Sequence, residues 1–575
     1  MNSVLIAVVA LGAFLAAYLL YSRFLAQKVF SLDPDRRTPA HELEDGIDYV
    51  PTDKRVLWGH HFTSIAGAAP IVGPAIGVIW GWLPAVLWVV LGTILMGAVH
   101  DFGALMLSVR HKGLSVGELT GGLIGKRSRL LFLFIILFLL WIVIAVFALI
   151  IAILFRNYPA TVIPVWTQMI LAVFVGLAIY RLKWKIMVPG LIALVLMYGM
   201  IWVGAEVPVR LTAFGVPEGS ELVAWIWIIG IYAFIASVLP VWTLLQPRDF
   251  INAEQLVVAL VVLYGGLLVA HPVVVAPAVR LAPEGAPWLF PFLFITIACG
   301  AISGFHSLVS SGTSAKQLNT ESDARLVGYG GMVAEGILAV VAVLACVAGF
   351  STRSAWMEHY ATWSEAGGLG AKLGAFIQGG RLFLTHLGIP AKVAAAFLGV
   401  VIVSFAMTTI DTATRLQRYI LAELGSSANV LKPLRNRYVG GAIAAGSAIL
   451  LALLKGGGAG GMVLWPVFGT TNQLLAALAL LVVTVWLLRQ NRPTIFTLVP
   501  MVFMMVMTTF AIVLKIRSFL LDRDWLLAAV SAIIFVLAVW LVVEAALAWR
   551  RWRLQAAAGR DLGQEGVPPT AGVQP

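Results

Sequence analysis

Cysteine is nearly absent. Cys299 and Cys346 are the only two in 575 residues, each inside an apolar run, which excludes a disulfide framework and a thiolate metal centre and reads as buried packing. Charge is scarce too, at 11% Asp, Glu, Lys and Arg, and the surplus of +12 is scattered over short connectors. That scatter is topology information and excludes a nucleic-acid-binding patch. No HExxH is present, and the glycine run 456–461 lacks the Lys-Ser/Thr of a phosphate loop, so neither a zinc protease nor an ATP-driven pump is encoded. His60 and His61 are adjacent, about 100° apart on a helix, and make a poor metal pair. His100 with Asp101, or His306 with Ser307, would be an intramembrane hydrolase's pair, but adjacent residues on one helix cannot face each other as base and nucleophile. The chain therefore reads as a non-enzyme with no metal and no cofactor beyond a coupling ion.

What is abundant is apolar length. At 61% hydrophobic residues and a mean hydropathy of +0.95, most of the chain must lie in lipid, which makes it an all-α polytopic membrane protein. Runs long enough to cross a hydrocarbon core are expected at 2–21, 59–77, 84–109, 130–155, 163–180, 187–204, 222–245, 256–275, 288–311, 326–350, 393–412, 438–454, 463–488, 495–514 and 525–549, about 15 spans. The first reads as a retained anchor with its N-terminus outside, followed by a cytoplasmic linker rich in charge. Residues 351–392 are too polar to span, and 373–387 suit an amphipathic helix on the outer surface. The tail 550–575 reads as disordered. With the N-terminus outside, the inner loops carry Arg110, Lys112, Lys126, Arg127 and Arg129, then Arg181, Lys183 and Lys185, then Arg415 to Arg437, then Arg550, Arg551 and Arg553. The positive-inside rule thus supports the count and puts the C-terminus in the cytoplasm.

The second span, GHHFTSIAGAAPIVGPAIG, carries four glycines and two prolines, Pro70 and Pro74, where an unbroken helix should be. Lipid offers freed backbone groups no partner, so an interrupted helix must face protein, an ion or water. The bland reading is a kinked helix packed by small residues. A second interruption is expected in span seven, where Ser237 and Pro240 fall at mid-depth and Pro247 at the cytoplasmic exit. Two interrupted spans, five apart and oppositely directed, are the trace of a five-plus-five inverted repeat with the solute between the breaks. The expected division is 1–58 anchor and linker, 59–204 first repeat, 205–420 second repeat, 421–549 C-terminal spans and 550–575 tail.

GHHFTSIAGAAPIVGP, HDFGALMLSVRHKGLSVGEL, LPVWTLLQPRDF, PFLFITIACGAISGFHSLVSSGTSAKQL, TTIDTATRLQRYIL and LWPVFGTTNQLLAALAL together resemble the carbon starvation protein A family, over about 57–480. The resemblance implies a transporter of the bacterial inner membrane, linked to peptide utilisation in carbon starvation and, in a related branch, to proton-driven pyruvate uptake. It also implies the LeuT-like core of the amino acid, polyamine and organocation transporters, with discontinuous helices. Short outer loops and a compact C-terminus depart from the longer members, so the resemblance does not carry the choice of substrate.

Site expectations follow. Helix ends exposed at 66–73 (Ala66, Gly67, Ala68, Gly73) and at 235–240 (Ser237, Pro240) would receive a carboxylate, walled by Phe234 and Trp242. Ionisable groups inside spans are functional candidates by default. Glu335 is the first choice to carry a proton, then His306, then Asp101. Against this, His100 and Asp101 suit a buried pair satisfied by each other or by Arg110. Asp411 suits an i+4 ion pair with Arg415, and His271 a capping role. Ser310 and Ser311 offer hard-oxygen ligands to Na⁺, or bond to their own helix carbonyls. Asn472 and Gln473 read as interhelical polar contacts. The reading is a secondary active importer of a small carboxylated nutrient, pyruvate or a short peptide, driven by H⁺ in preference to Na⁺. An Na⁺-coupled amino acid or peptide symporter and a channel are the alternatives. Its partners are the solute and membrane lipid, a small accessory subunit being compatible with this.

Overall fold

A computed structural model describes residues 2–426, 429–454 and 460–557, and the side chains as far as Arg551. Among the described residues, twelve helices are long and apolar enough to cross a membrane: α1 (Ser3–Val29), α4 (Trp82–Val109), α5 (Lys126–Asn157), α6 (Pro159–Tyr180), α7 (Met187–Glu206), α8 (Glu218–Val238), α9 (Leu245–Ala270), α12 (Glu321–Ala348), α14 (Ala391–Gly425), α16 (Gly460–Arg489), α17 (Ile495–Leu521) and α18 (Trp525–Arg551). Two bent pairs add spans. One is α2 (Lys54–Ala66) with α3 (Ala69–Trp80); the other joins Asn429–Arg435 to α15 (Arg437–Leu453). The remaining expected span is α10 (Leu289–Thr296) and α11 (Gly304–Gly312), parted by the non-helical stretch 297–303. The polytopic all-α fold is thus as expected. The last helix runs on to Ala557, and the rest of the tail expected to be disordered lies outside the described residues.

Burial sorts the helices by role. α5, α12, α14 and α16 are more than four-fifths buried over their most apolar stretch, whereas α1, α7 and α18 are one-third buried and present Leu, Val and Ile outward. A helix apolar all round is a core helix when other helices surround it, and a lipid-facing one when they do not. Of the buried four, α12, α14 and α16 pack against the interrupted spans, and α5 backs α14 and α16.

The first interruption lies at Gly67 and Ala68 and bends the span by 42°. Its cause is Gly67, whose φ of +49 no ordinary side chain adopts easily, rather than the prolines. Pro70 sits in the first turn of α3, where its missing N–H costs nothing, and Pro74 is accommodated within that short helix. The second interruption corrects the sequence reading. α8 is helical through Ser237, so Ser237 lies in its last turn, and Pro240 and Trp242 lie in the turn 239–244 that leads to α9. That turn meets the linker, Val241 N–H donating to the Ile47 carbonyl at 3.0 Å. Neither residue is at mid-span. The break is instead in α10–α11, seven residues long.

Helix α9 starts eleven residues earlier than expected, at Leu245, and so draws Gln246, Arg248, Asp249 and Asn252 out of a presumed loop into the buried interior. A surface helix, α13 (Leu369–His386), forms in the polar segment as expected and packs on α3, α9, α12 and α14. The linker folds over one face. There Asp48 pairs with Arg415 at 2.8 Å and Arg418 at 3.1 Å, and Arg110 pairs with Glu321 at 2.8 Å.

Candidate functional site

The unwound stretch 297–303 has to find hydrogen-bond partners inside the protein, because nothing in a bilayer core would supply them. Side chains of three neighbouring helices provide them. Trp88 and Thr93 of α4 donate to the Ile297 and Gly300 carbonyls, each at 2.8 Å. Gln473 of α16 donates to the Phe294 carbonyl at 2.8 Å, and Asn472 accepts the Phe305 N–H at 2.9 Å. Glu335 of α12 accepts the Gly300 N–H at 2.9 Å through Oε1. Asn472 and Gln473 are therefore interhelical contacts, as expected, and they hold the break open.

Glu335 has a second oxygen, and it faces a histidine. His306, in the first turn of α11, lies with Nε2 3.3 Å from Glu335 Oε2 and Nδ1 3.0 Å from Asp101 Oδ2. Asp101 Oδ1 is in turn 2.8 Å from His100 Nδ1. All four are fully buried. The three ion-coupling candidates Glu335, His306 and Asp101, which come from α12, α11 and α4, are thus brought into one chain, carboxylate to imidazole to carboxylate. A histidine between two carboxylates can donate to both only as imidazolium, and as neutral imidazole it can donate to one and accept from the other only if that carboxyl is protonated. The array can therefore hold its proton in more than one arrangement. Cys299 Sγ, His306 and Glu335 place donor atoms within 4.8 Å of one another, a group that could hold a metal ion among the described residues. Of the His306 ring nitrogens, Nδ1 is hydrogen-bonded to Asp101, while Nε2 stands 3.3 Å from Glu335 Oε2 without a hydrogen bond.

One expectation about partners changes. Arg110 is 2.8 Å from Glu321 instead of supporting Asp101, which leaves His100 and His306 as that carboxylate's partners. The sodium reading fares differently at its two serines. Ser311 donates to its own helix, to the Ser307 carbonyl at 2.7 Å, while the buried Ser310 hydroxyl has no hydrogen-bond partner.

A second buried cluster lies beside the first break. Arg248 pairs through Nη1 with Asp411 and donates through Nη2 to the Ser404 carbonyl at 3.0 Å and Thr408 Oγ1 at 2.9 Å. Tyr232 donates to Asp411 at 2.7 Å, and Asn252 to Thr408 at 3.0 Å. Asp411 is therefore not paired with Arg415, which goes to Asp48. The i+4 spacing was right for a helix pair, but a guanidinium from α9 wins because it is fully enclosed with the carboxylate. His60 and His61 diverge, His60 to Asp249 at 2.5 Å and His61 to Ser314 at 2.9 Å. Of the expected substrate residues, Ala66, Gly67, Ala68 and Gly73 stand at the first break. Phe234, Ser237, Pro240 and Trp242 are grouped at the linker face, Trp242 against Tyr180. His271 ends α9 in a left-handed conformation, an end-of-helix role as expected.

The two breaks touch: Pro70 packs within 3.5 Å of where a Cβ on Gly300 would lie, and Gly73 against the Thr296 carbonyl. Discontinuous helices meeting inside a bundle, with buried ionisable groups at the junction, define a secondary transporter. The chain belongs to the carbon starvation protein CstA family, whose model matches residues 2–361 and 347–511. It is 34% identical to a peptide transporter CstA of Mycobacterium tuberculosis (strain ATCC 25618 / H37Rv) over 85% of this chain and 72% of that one. It is 33% identical to the pyruvate/proton symporter BtsT of Escherichia coli (strain K12), over 89% and 81%, and 31% identical to the CstA of Bacillus subtilis (strain 168), over 96% and 98%. Among solved structures, an Eremococcus coleocola manganese transporter superposes with a TM-score of 0.50 over 88% of this chain and 99% of that one, at 13% identity, a likeness of fold alone. The fold is the expected LeuT-like one.

Proposed function

We propose that this transporter imports a small carboxylated nutrient, a short peptide or pyruvate, across the bacterial inner membrane and draws on the proton gradient to do so. The observation that carries the proton reading is the buried chain Asp101–His306–Glu335, whose last member also holds the Gly300 N–H of the second break. Moving a proton onto Glu335 weakens its hold on that backbone and on His306 together, which links charge to the shape of α10–α11. The linker face is taken as cytoplasmic, with the N-terminus outside and the C-terminus inside, and the repeats 59–204 and 205–420 as the units that rock. Sodium coupling keeps one observation in its favour, the unpartnered Ser310 hydroxyl.

The experiment is uptake of labelled pyruvate and labelled dialanine into proteoliposomes under separately imposed pH and sodium gradients. Uphill accumulation driven by an inward proton gradient without sodium is expected. Sodium-stimulated uptake at zero pH gradient, lost in a Ser310→Ala/Ser311→Ala variant and kept in Glu335→Gln, would overturn the proton reading. Flux that never exceeds equilibrium and shows no counterflow would make the protein a channel.

A further inference from the structure

A cavity of about 590 Å³ lies at the face opposite the linker. Its floor is Gly73 of α3 together with Thr296 and Cys299 at the second break; its walls include Trp288, Trp465 and Phe468. Two lysines enter it from different elements, Lys372 from α13 and Lys515 from α17. Lys372 is 6% exposed and lies with Nζ 5.5 Å from the Trp465 ring centroid, and Lys515 Nζ donates to the Pro466 carbonyl. Neither has a carboxylate within ion-pair distance among the described residues.

A buried ammonium beside an indole, Lys372, and a half-buried one on a single carbonyl, Lys515, are costly to keep without a counter-ion, since a buried charge is ordinarily paired. Burial pushes the Lys372 ammonium down to about 8, so it still carries its charge at neutral pH. An anionic solute would supply the missing charge. The floor gives it a use: Cys299 lines the cavity and also stands within 4.8 Å of the His306 and Glu335 donor atoms. The cavity that the lysines enter is thus bounded at Cys299 by a residue that also borders the proton chain. The volume lies in the range of small-molecule sites of about 300–1,000 Å³. A three-carbon acid would occupy a small part of it, whereas a dipeptide would also cover the aromatic walls.

We propose that Lys372 and Lys515 form a site on the face opposite the linker that takes the carboxylate of the entering solute, with the Trp288 and Trp465 walls receiving the rest of a short peptide. The inference rests on the importer reading above and adds its recognition residues.

The test uses the full chain with Cys346→Ser, so that Cys299 is its one thiol, in phosphatidylcholine liposomes. Alkylation of Cys299 by a small maleimide is timed with and without dialanine, dialanine amide or pyruvate, and dialanine uptake is measured in parallel. Dialanine is expected to slow alkylation and the amide, which lacks the carboxylate, to fail. Lys372→Gln/Lys515→Gln should raise the protecting concentration at least tenfold, and the Lys→Arg pair should recover most of it. Equal protection by the amide, or protection unchanged in the Gln pair while uptake persists, would overturn the site and leave the importer standing. Protection by phosphatidylglycerol without solute would give the lysines to a lipid phosphate and overturn it too. Absence of uptake of both dialanine and pyruvate would overturn the importer and the site with it.

Discussion

Glu335, His306 and Asp101 could be picked out from sequence because an ionisable group in an apolar run is conspicuous whatever it touches. Their being one chain could not, since α12, α11 and α4 meet only in the fold. Arg248, Asp249 and Asn252 were missed for a different reason. They follow Pro247, so the run QPRDFINAEQ reads as a charged loop, whereas the proline stands in the first turn of α9 and starts it. Asp411→Asn tests the Arg248 cluster. It leaves a fully enclosed guanidinium without its carboxylate, a loss of about 3–5 kcal/mol, and should lower the melting temperature in detergent. Arg248→Met with Asp411→Leu, which removes both charges, should recover most of that loss. Melting unchanged in the single variant would mean that the pair bears no load.

The first break was legible in its glycines and prolines, though the prolines drew attention three residues too far along. The second was misplaced in span seven because Pro240 marks an interruption in any apolar run, and a helix end looks the same as a mid-span break in one dimension. The true break, 297–303, has no proline at all; it is kept open by Trp88, Thr93, Gln473, Asn472 and Glu335, which lie elsewhere in the chain. Close approach of the two interrupted spans is testable at their glycines. A Cβ on Gly73 would lie 2.8 Å from the Thr296 carbonyl oxygen, and one on Gly67 would lie 2.6 Å from Thr409 Oγ1 at a backbone angle that already disfavours it. Gly67→Leu and Gly73→Leu should each abolish uptake while leaving the protein inserted in the membrane. Normal transport by both would remove the site from this stretch.

Taken whole, the molecule is clamped at the linker face by Asp48 with Arg415 and Arg418, and the cavity that the two lysines enter lies on the other face. Run length located the apolar helices, of which twelve to fourteen qualify as spans among the described residues; the clamp did not follow from the sequence, because Asp48 lies some 370 residues from its arginines. Burial alone would raise the Asp48 carboxyl, but Arg418 and Arg415 more than offset it and hold it well below the usual carboxylate range. A depressed folded value means that the clamp is at full strength above about pH 5 and is lost only as the pH falls below the ordinary carboxylate range. Closure of the linker face, read by cross-linking or by the spacing of two spin labels, should therefore be constant from about pH 5 to 8. Asp48→Asn should open it throughout, and opening of the wild type near neutral pH would contradict the clamp. Proton coupling, on this account, resides in the buried chain and not in the linker.

Counterflow and accumulation measured side by side on Glu335→Gln test that claim most directly. Glutamine keeps the side-chain oxygen that holds Gly300 but cannot take or release a proton. The account predicts that the variant exchanges labelled solute across the membrane at a rate comparable to the wild type and fails to concentrate it under an inward proton gradient. Uphill accumulation by Glu335→Gln, equal to the wild type at the same gradient, would contradict it.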